Sequence, residues 1–240
     1  MKAESSLQRP RALSARLWQT ALDLVFPPRC VACDEFGSLI CGFCAGALQA
    51  PLPPRCDTCW TPRTHHPNCY RCYTEQPAFE RVRSAYVYDG VSRDAVLALK
   101  FRGLSSLAPL MAEAMAERFA EWISRVEAIV PVPLAPGRKR ERGYDQAELL
   151  ATELSSLVGV PVERQALKRR RGTAPQALLH ETDRRRNVQG AFSPGRRRVL
   201  GPVLLVDDVV TTGATLDACA RVLIDGGAGP VFGLTYARED

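Results

Sequence analysis

Two patterns of apolar residues divide the chain at about residue 81. Beyond it, short apolar runs alternate with longer segments in which apolar positions recur every three or four residues, which is typical of buried strands alternating with amphipathic helices. The predicted strands are 84–88, 128–134, 203–206 and 231–236, and the predicted helices are 91–101, 107–123, 145–157 and 215–224. Such alternation of continuously apolar strands with helices predicts an α/β domain whose parallel sheet is covered on both faces.

The first 29 residues have a different pattern. A polar start is followed by apolar residues at helical spacing, and Pro27-Pro28 ends the predicted amphipathic helix. Arg16, Gln19 and Asp23 interrupt the apolar positions, so the segment is not typical of a secretory signal. No apolar run has the length of a membrane span. We therefore expect a cytoplasmic protein without integral membrane association, with domains at 1–29 (helix), 30–80 (Cys-rich module) and 81–240 (α/β domain).

Cysteine spacing predicts the chemistry of the middle module. Eight of the nine cysteines form four Cys-x-x-Cys pairs, namely Cys30/Cys33, Cys41/Cys44, Cys56/Cys59 and Cys69/Cys72. Two such pairs supply the four thiolates of a tetrahedral zinc site, so the sequence predicts two structural Zn²⁺ ions. Disulfides would need an oxidising compartment, and the spacings lack the runs typical of iron–sulfur proteins. Sequential pairing of the four motifs is the simplest, and spacing alone leaves an interleaved pairing open.

The charge of the chain is modest but unevenly distributed. The net charge is +6, and 24% of the 240 residues are charged. Residues 30–80 hold more acidic than basic side chains, which argues against the Cys-rich module as a main nucleic-acid clamp. Arginine clusters lie instead at 138–142, 168–171, 184–186 and 196–198. We expect a polyanionic ligand to bind in that part of the chain.

One motif within residues 203–215 points to a function. Asp207 and Asp208 follow the apolar strand 203–206, and adjacent carboxylates at a strand end are suited to vicinal hydroxyls or a divalent cation. A turn rich in hydroxyl groups follows and leads into a helix, where backbone N–H groups bind phosphate. The turn consists of Thr211, Thr212, Gly213, Ala214 and Thr215. Together the two parts predict a site for a ribose 5-phosphate, whereas the Walker A lysine of nucleotide hydrolases is absent.

The segment 207–215 resembles the phosphoribosyl diphosphate (PRPP) loop of type I phosphoribosyltransferases. Further stretches resemble the ComF competence/GntX-like family of that class. They are 26–30 (FPPRC), 98–103 (ALKFRG), 130–134 (VPVPL), Arg138, 142–150 (RGYDQAELL), Thr173 with Gln176, and 187–192 (NVQGAF). The resemblance implies an α/β fold in which a parallel-sheet type I phosphoribosyltransferase domain is preceded by a small Cys-rich double zinc ribbon.

The same resemblance implies roles for individual residues. Asp207 and Asp208 would fix the ribose as catalytic residues, and Arg138 and Arg142 would bind the diphosphate. Mg²⁺ would bridge the diphosphate and the ribose hydroxyls. The segment 168–176 would be a flexible lid containing Lys168, Arg169, Arg171, Thr173 and Gln176. Lys100 and Arg102 match the family without an assigned role, and Tyr144 and Asp145 replace the family's usual Phe and Asn.

Two functions are therefore consistent with these features of the sequence. The first is Mg²⁺-dependent phosphoribosyl transfer from PRPP to an acceptor that the sequence does not name. The alternative is a non-catalytic, PRPP-responsive competence factor associated with nucleic acid. The resemblance links both to DNA uptake in natural transformation, with single-stranded DNA and an ATP-driven DNA translocase as partners. Direct DNA binding and the oligomeric state stay open.

Overall fold

The computed structural model describes residues 27–63, 66–123, 125–170 and 190–240. The chain divides into two compact units, one ending at Ala47 and the other running from Leu48 to Asp240. The helix predicted before Pro27 lies outside the described residues, as do Arg171, Thr173 and Gln176 of the predicted lid. No described helix has the length and apolar character that a bilayer crossing needs.

The first unit contains the first four cysteines. A tight turn closes when the Asp34 N–H donates to the Cys30 carbonyl over 2.9 Å. Asp34 adopts the left-handed conformation, with φ of 64°. The short helix α1 (Gly42–Gly46) then begins with Cys41 as its N-cap residue.

The second unit begins with the other four cysteines and continues into the α/β domain. Its small helix α2 lies in the Cys-rich part, and the remaining elements form the domain that the sequence predicts. In chain order they are α2 (Tyr70–Glu75), β1 (Arg81–Val87), α3 (Gly90–Phe101), a 3-10 turn (Ser105–Leu107), α4 (Ala108–Ile123), β2 (Ala128–Pro131), α5 (Pro136–Arg142), α6 (Gln146–Val158), β3 (Leu167–Arg169), β4 (Phe192–Pro194), β5 (Val203–Val210), α7 (Ala214–Asp225) and β6 (Val231–Arg238).

The main sheet has the strand order β1-β6-β5-β2, and all three described pairings are parallel. The strands β3 and β4 form a separate antiparallel pair. All four residues of the apolar run 203–206 in β5 are fully buried, as a central parallel strand requires. The predicted fold class, a parallel α/β sheet preceded by a Cys-rich module, is confirmed.

The hydrophobic core joins the sheet to the second group of cysteines. Leu205 of β5 and Leu216 of α7 belong to one buried cluster with Phe79. Cys56 and Cys72 are buried in that same cluster. The second cysteine group therefore packs within the same unit as the sheet. The domain boundary that the sequence suggests at residue 80 stays a prediction.

Strand β5 is longer than the sequence predicts, and the extension matters for the site. The pattern indicated a strand ending at Val206, but β5 continues to Val210 because β6 keeps pairing with it, with Asp207 opposite Thr235 and Val210 opposite Arg238. On its other side β2 ends, and the last contact there is the Val132 N–H donating to the Val206 carbonyl over 2.9 Å. One backbone edge of 207–210 is therefore not covered by β2.

The basic segment after β2, for which the apolar pattern predicts no helix, forms the short helix α5. Pro136 begins α5, where a missing N–H costs nothing, and Gly143 ends it with φ of 79°, in the left-handed region that glycine adopts freely. Asp145 then caps α6, since its side chain accepts the Glu148 N–H. The arginines of this segment thus project from a short helix.

Candidate functional site

A cavity of about 350 Å³ lies where the carboxyl ends of the four parallel strands meet. Residues that directly follow β1, β2 and β6 line it, together with the end of β5 and the start of α7. This is the edge at which ligands bind in open α/β sheets. Most of the predicted site residues line this one cavity, namely Asp207, Asp208, Thr211, Gly213, Ala214, Thr215, Arg138, Arg142 and Arg169.

The two adjacent aspartates occupy different surroundings because neighbouring residues of a strand point to opposite faces. Asp208 is buried, and its Oδ1 lies 2.7 Å from the Nζ of Lys100 at the end of α3. Asp207 is partly exposed, and its Oδ1 accepts the backbone N–H of Asp208 over 2.9 Å. One carboxylate is thus neutralised by a lysine, while no cation among the described residues lies within ion-pair distance of the other.

The surroundings of Asp207 and Lys100 raise the pKa of both groups. Burial, together with the negative charge of Asp208, raises the pKa of Asp207 to about 8. Burial opposes the charging of Lys100, but the carboxylates of Asp208 and Asp207 outweigh it and raise the pKa of Lys100. The site therefore holds the Asp208–Lys100 ion pair beside an Asp207 that is largely protonated at neutral pH. A protonated carboxyl both donates and accepts hydrogen bonds, which suits it to sugar hydroxyls.

The hydroxyl-rich turn has the geometry of an anion site. Gly213 is the N-cap residue of α7 with φ of 76°, and no side chain caps the helix from that position. The Ala214 N–H donates to Thr212 Oγ1 over 3.3 Å, so this hydroxyl serves the turn itself. The helix N-terminus supplies partial positive charge to the cavity that it lines. A phosphate group fits this end of the cavity.

Arginines supply the opposite side of the cavity. The Arg142 Nη1 donates to Gln146 Oε1 over 2.9 Å, and its guanidinium lies 4.8 Å from the centroid of the Phe101 ring. Burial and the neighbouring Arg138 lower the pKa of Arg142 from its usual value and outweigh the opposing effect of Asp208. Guanidinium groups bind phosphate oxygens in a bidentate manner, so this side is suited to a second phosphate-bearing group.

The cysteines form two groups with metal-ligand geometry, and the pairing is sequential. One group is Cys30, Cys33, Cys41 and Cys44, and the other is Cys56, Cys59, Cys69 and Cys72, with the sulfur atoms of each group within 4.8 Å of one another. The Cys33 and Cys41 sulfurs lie 3.6 Å apart, as do those of Cys59 and Cys69. Tetrahedral Zn–S bonds give sulfur–sulfur distances of about 3.8 Å, so both groups fit zinc. The interleaved alternative is excluded for these groups.

The two groups share one local design. The Trp60 N–H donates to the Cys56 carbonyl over 2.9 Å, matching the Asp34–Cys30 turn of the first group. Trp60, like Asp34, is left-handed, with φ of 65°. Cys69 is the N-cap residue of α2, as Cys41 is of α1. Each group therefore combines a tight turn with the start of a short helix.

Comparison with known proteins places this chain in a family. A family model for the double zinc ribbon domain matches residues 21–73. The DNA utilization protein YhgH of Escherichia coli K12 is 32% identical over 203 residues, covering 80% of this chain and 87% of that protein. Competence protein F of Haemophilus influenzae is 32% identical over 197 residues, covering 76% and 84%. This chain belongs to the ComF family. Competence protein ComFC of Bacillus subtilis is 27% identical over 215 residues, covering 83% and 84%.

Solved phosphoribosyltransferases are similar to part of this ComF-family chain. The orotate phosphoribosyltransferase of Aeropyrum pernix matches with a TM-score of 0.33 and 18% identity, over 59% of this chain and 62% of that one. The purine phosphoribosyltransferase of Pyrococcus horikoshii matches with a TM-score of 0.34 and 18% identity, over 52% and 72%. At these scores the fold assignment rests on the parallel sheet and the double zinc ribbon themselves.

Two predicted residues of this ComF-family site lie apart from the cavity. Thr212 does not line it, and its hydroxyl accepts the Ala214 N–H. Lys168 is exposed on β3, whereas its neighbour Arg169 does line the cavity, with its guanidinium 5.3 Å from the centroid of the Phe192 ring. The assignment of these residues to PRPP stays a prediction.

Sequence reasoning missed the role of Lys100 and the contribution of Gln146. Lys100 matched the family motif, but its partner Asp208 lies far along the chain, and only the fold brings the two together. Gln146 lines the cavity and is 2% exposed, and within the described part of the chain its Nε2 has no hydrogen-bond partner. The apolar positions of the predicted helix 145–157 were the available signal for Gln146, because they indicate which face of the helix is buried.

We expect metal analysis to find about two zinc ions per chain, because both cysteine groups fit a closed tetrahedral site. Replacing Cys30 and Cys33 by serine should leave about one zinc per chain, since the second group keeps its four thiolates. Inductively coupled plasma mass spectrometry on the purified full chain measures both. Finding iron in place of zinc, or both ions lost in the double variant, would contradict the assignment.

We expect Asp207→Asn to stabilise the protein, and the gain to grow as the pH rises from about 4 to about 8. The folded state keeps the Asp207 proton up to about pH 8, whereas the unfolded state releases it near pH 4, so the wild-type free energy of unfolding falls across this window. Raising the pKa from 3.8 to about 8 corresponds to a gain on the order of 5 kcal/mol at pH 8. Urea unfolding at several pH values measures it.

The exposed Asp225 at the end of α7 provides the matched control, as Asp225→Asn removes a carboxylate outside the cavity. A stability difference for Asp207→Asn that stays flat with pH would show that the carboxyl is not held protonated.

Proposed function

We propose that this ComF-family protein binds PRPP in the cavity and transfers its phosphoribosyl group to an acceptor that the chain does not identify. The observation that supports this most directly is that Asp207, Asp208 and the turn at the start of α7 line the same cavity as Arg138 and Arg142. PRPP has three chemical parts, and the cavity offers a matching surface for each of them.

The 5-phosphate would bind at the turn. Thr211 and Thr215 line the cavity there, and the start of α7 supplies backbone N–H donors. Gly213 permits the left-handed conformation that turns the chain into the helix. A phosphate monoester is a small anion of high charge, which is the ligand that such a helix start binds best.

The ribose hydroxyls would bind at the acid pair. The charged Asp208 accepts hydrogen bonds, and the protonated Asp207 both donates and accepts. Lys100 compensates the charge of Asp208, so the pair repels an anionic ligand less than two free carboxylates would. As the bond between the anomeric carbon and diphosphate breaks, positive charge develops on the sugar, and nearby carboxylates stabilise it.

The diphosphate would leave along the arginine side of the cavity. Arg138, Arg142 and Arg169 line it, and their charge favours the departing anion. Mg²⁺ takes oxygen ligands, and Asp207 would hold it after releasing its proton, with Asp208 beside it. When bound, it would supply further charge neutralisation for the diphosphate. The acceptor then forms the new bond at the anomeric carbon, and diphosphate takes the electron pair of the broken bond.

The relatives' names bear on the biological role. One group of relatives is named for DNA utilization and another for competence. We propose that the chain acts in the cytoplasm in the handling of DNA taken up by the cell, with single-stranded DNA and an ATP-driven translocase as partners. PRPP binding without turnover, as a signal of nucleotide supply, is the alternative within the same role.

We expect the wild-type chain to bind PRPP, and the double variant Asp207→Ala/Asp208→Ala to bind it at least about tenfold more weakly, because each lost hydrogen bond to a charged group costs about 1.5–3 kcal/mol. Isothermal titration calorimetry with and without Mg²⁺ measures both affinities. Asp225→Ala serves as the control for loss of an acidic side chain elsewhere. Equal affinity of the wild type and the double variant for PRPP would contradict the proposed site.

We expect diphosphate release from PRPP when a pool of nucleobases, nucleosides and small amines is supplied with Mg²⁺. A coupled diphosphate assay measures the release, and Asp207→Ala/Asp208→Ala should abolish it. PRPP binding without release for any acceptor would overturn the transferase in favour of the binding protein.

A further inference from the structure

The last residue of β6 connects the second cysteine group to the turn. Arg238 is 3% exposed, and its Nη1 donates to the Cys59 carbonyl over 2.6 Å. Its Nη2 donates to Thr61 Oγ1 over 2.5 Å and to the Thr211 carbonyl over 3.3 Å. One guanidinium therefore joins a zinc ligand's own backbone to the first residue of the turn.

A second arginine holds that guanidinium in place. The Asp240 carboxylate lies 3.4 Å from the Arg238 Nε, and both of its oxygens accept hydrogen bonds from Arg55 over 2.6 Å. Arg55 is 7% exposed and also donates to the carbonyls of Leu52 and Trp60, over 3.0 and 3.1 Å. Both arginines are buried and hydrogen-bonded, and they share the exposed Asp240 carboxylate, so the bridge reaches from the surface into the interior.

The other end of the turn contacts the segment that follows the second cysteine group. The Ala78 N–H donates to Asp217 Oδ1 over 2.7 Å, in the first turn of α7. The Phe79 ring lies directly beneath Gly213, where an added Cβ would be 3.6 Å from it. The turn is therefore held on both sides by residues in or next to the second cysteine group.

We propose that the second zinc site positions the phosphate-binding turn through Arg238, so that metal in this site sets the affinity for the 5-phosphate of the sugar ligand. The proposal rests on the proposed PRPP site. Cys59 is both a metal ligand and the acceptor for Arg238, so its carbonyl is in place only while the four thiolates are held together. Arg238 is a positioning residue, since its contacts reach the turn rather than the ligand.

The sharpest test separates the ligand into its parts. Ribose 5-phosphate engages the turn and the acid pair, whereas inorganic diphosphate engages the arginine side of the cavity. For Arg238→Gln we expect affinity for PRPP and for ribose 5-phosphate to fall about tenfold or more, and affinity for inorganic diphosphate to stay within about twofold. General destabilisation of the protein would lower the affinities for all three ligands alike. Calorimetric titration of the full chain measures the three affinities.

A second pair of variants tests the metal directly. Cys72→Ser removes a buried ligand of the second zinc site, and Cys44→Ser removes its counterpart from the first group, in the other compact unit. We expect Cys72→Ser to lower the affinity for ribose 5-phosphate as Arg238→Gln does. Cys44→Ser should bind ribose 5-phosphate with wild-type affinity. Zinc content per chain is measured on the same samples. Thr61→Val, which removes one acceptor of Arg238, should give a smaller loss in the same direction if the larger changes prevent folding.

Each outcome decides one of two questions. Wild-type affinity for ribose 5-phosphate in both Arg238→Gln and Cys72→Ser would overturn the positioning role while leaving PRPP binding intact. An equal loss of affinity for all three ligands in Arg238→Gln would overturn the positioning role as well. A wild-type chain that binds neither PRPP nor ribose 5-phosphate would instead overturn the proposed function, and this inference with it.

Discussion

Two adjacent carboxylates at the uncovered end of a central strand are the constraint on which the site depends. Burying both in charged form would be very costly, and the protein avoids this in two ways. Lys100 pairs with Asp208 at 2.7 Å, and Asp207 keeps its proton to about pH 8. Neither arrangement improves packing, and a strand without acids would be more stable here. The cost is explained if the acids serve a ligand, since strained or unfavourable groups persist mainly at functional sites.

Local patterns predicted much of the molecule because they reflect local physics. Strand alternation with helices, cysteine spacing and the Asp-Asp…Thr-Thr-Gly run each depend on residues close in sequence, and the structure has the parallel sheet, the two sulfur groups and the turn at a helix start. The acid–lysine pair and the Arg238 bridge join residues distant in sequence, so no local pattern reveals them. Helix α5 was missed because its basic composition resembles a loop, although Pro136 and Gly143 mark its ends.

The two cysteine groups show how one local sequence pattern acquires different tasks through tertiary context. Both have the same turn and the same helix-capping cysteine. The second is followed by a segment that enters the α/β core, where Cys56 and Cys72 are buried in the same cluster as Phe79. A zinc ion there would stabilise a small lobe and also hold the Cys59 carbonyl and the Thr61 hydroxyl, which accept hydrogen bonds from Arg238 of β6.

The departure from the family pattern at Tyr144 and Asp145 has a structural explanation. The Asp145 Oδ2 accepts the Leu134 N–H over 3.0 Å and its Oδ1 accepts the Glu148 N–H over 3.3 Å, so one side chain joins the segment after β2 to the start of α6. In asparagine an NH₂ group would replace one of these two oxygens, and because it cannot accept, the same geometry would satisfy only one of the two donors. The Tyr144 hydroxyl donates to the Leu99 carbonyl over 2.5 Å, beside Lys100. Tyr144 and Asp145 therefore connect the start of α6 both to the segment after β2 and to the end of α3, the helix that carries Lys100.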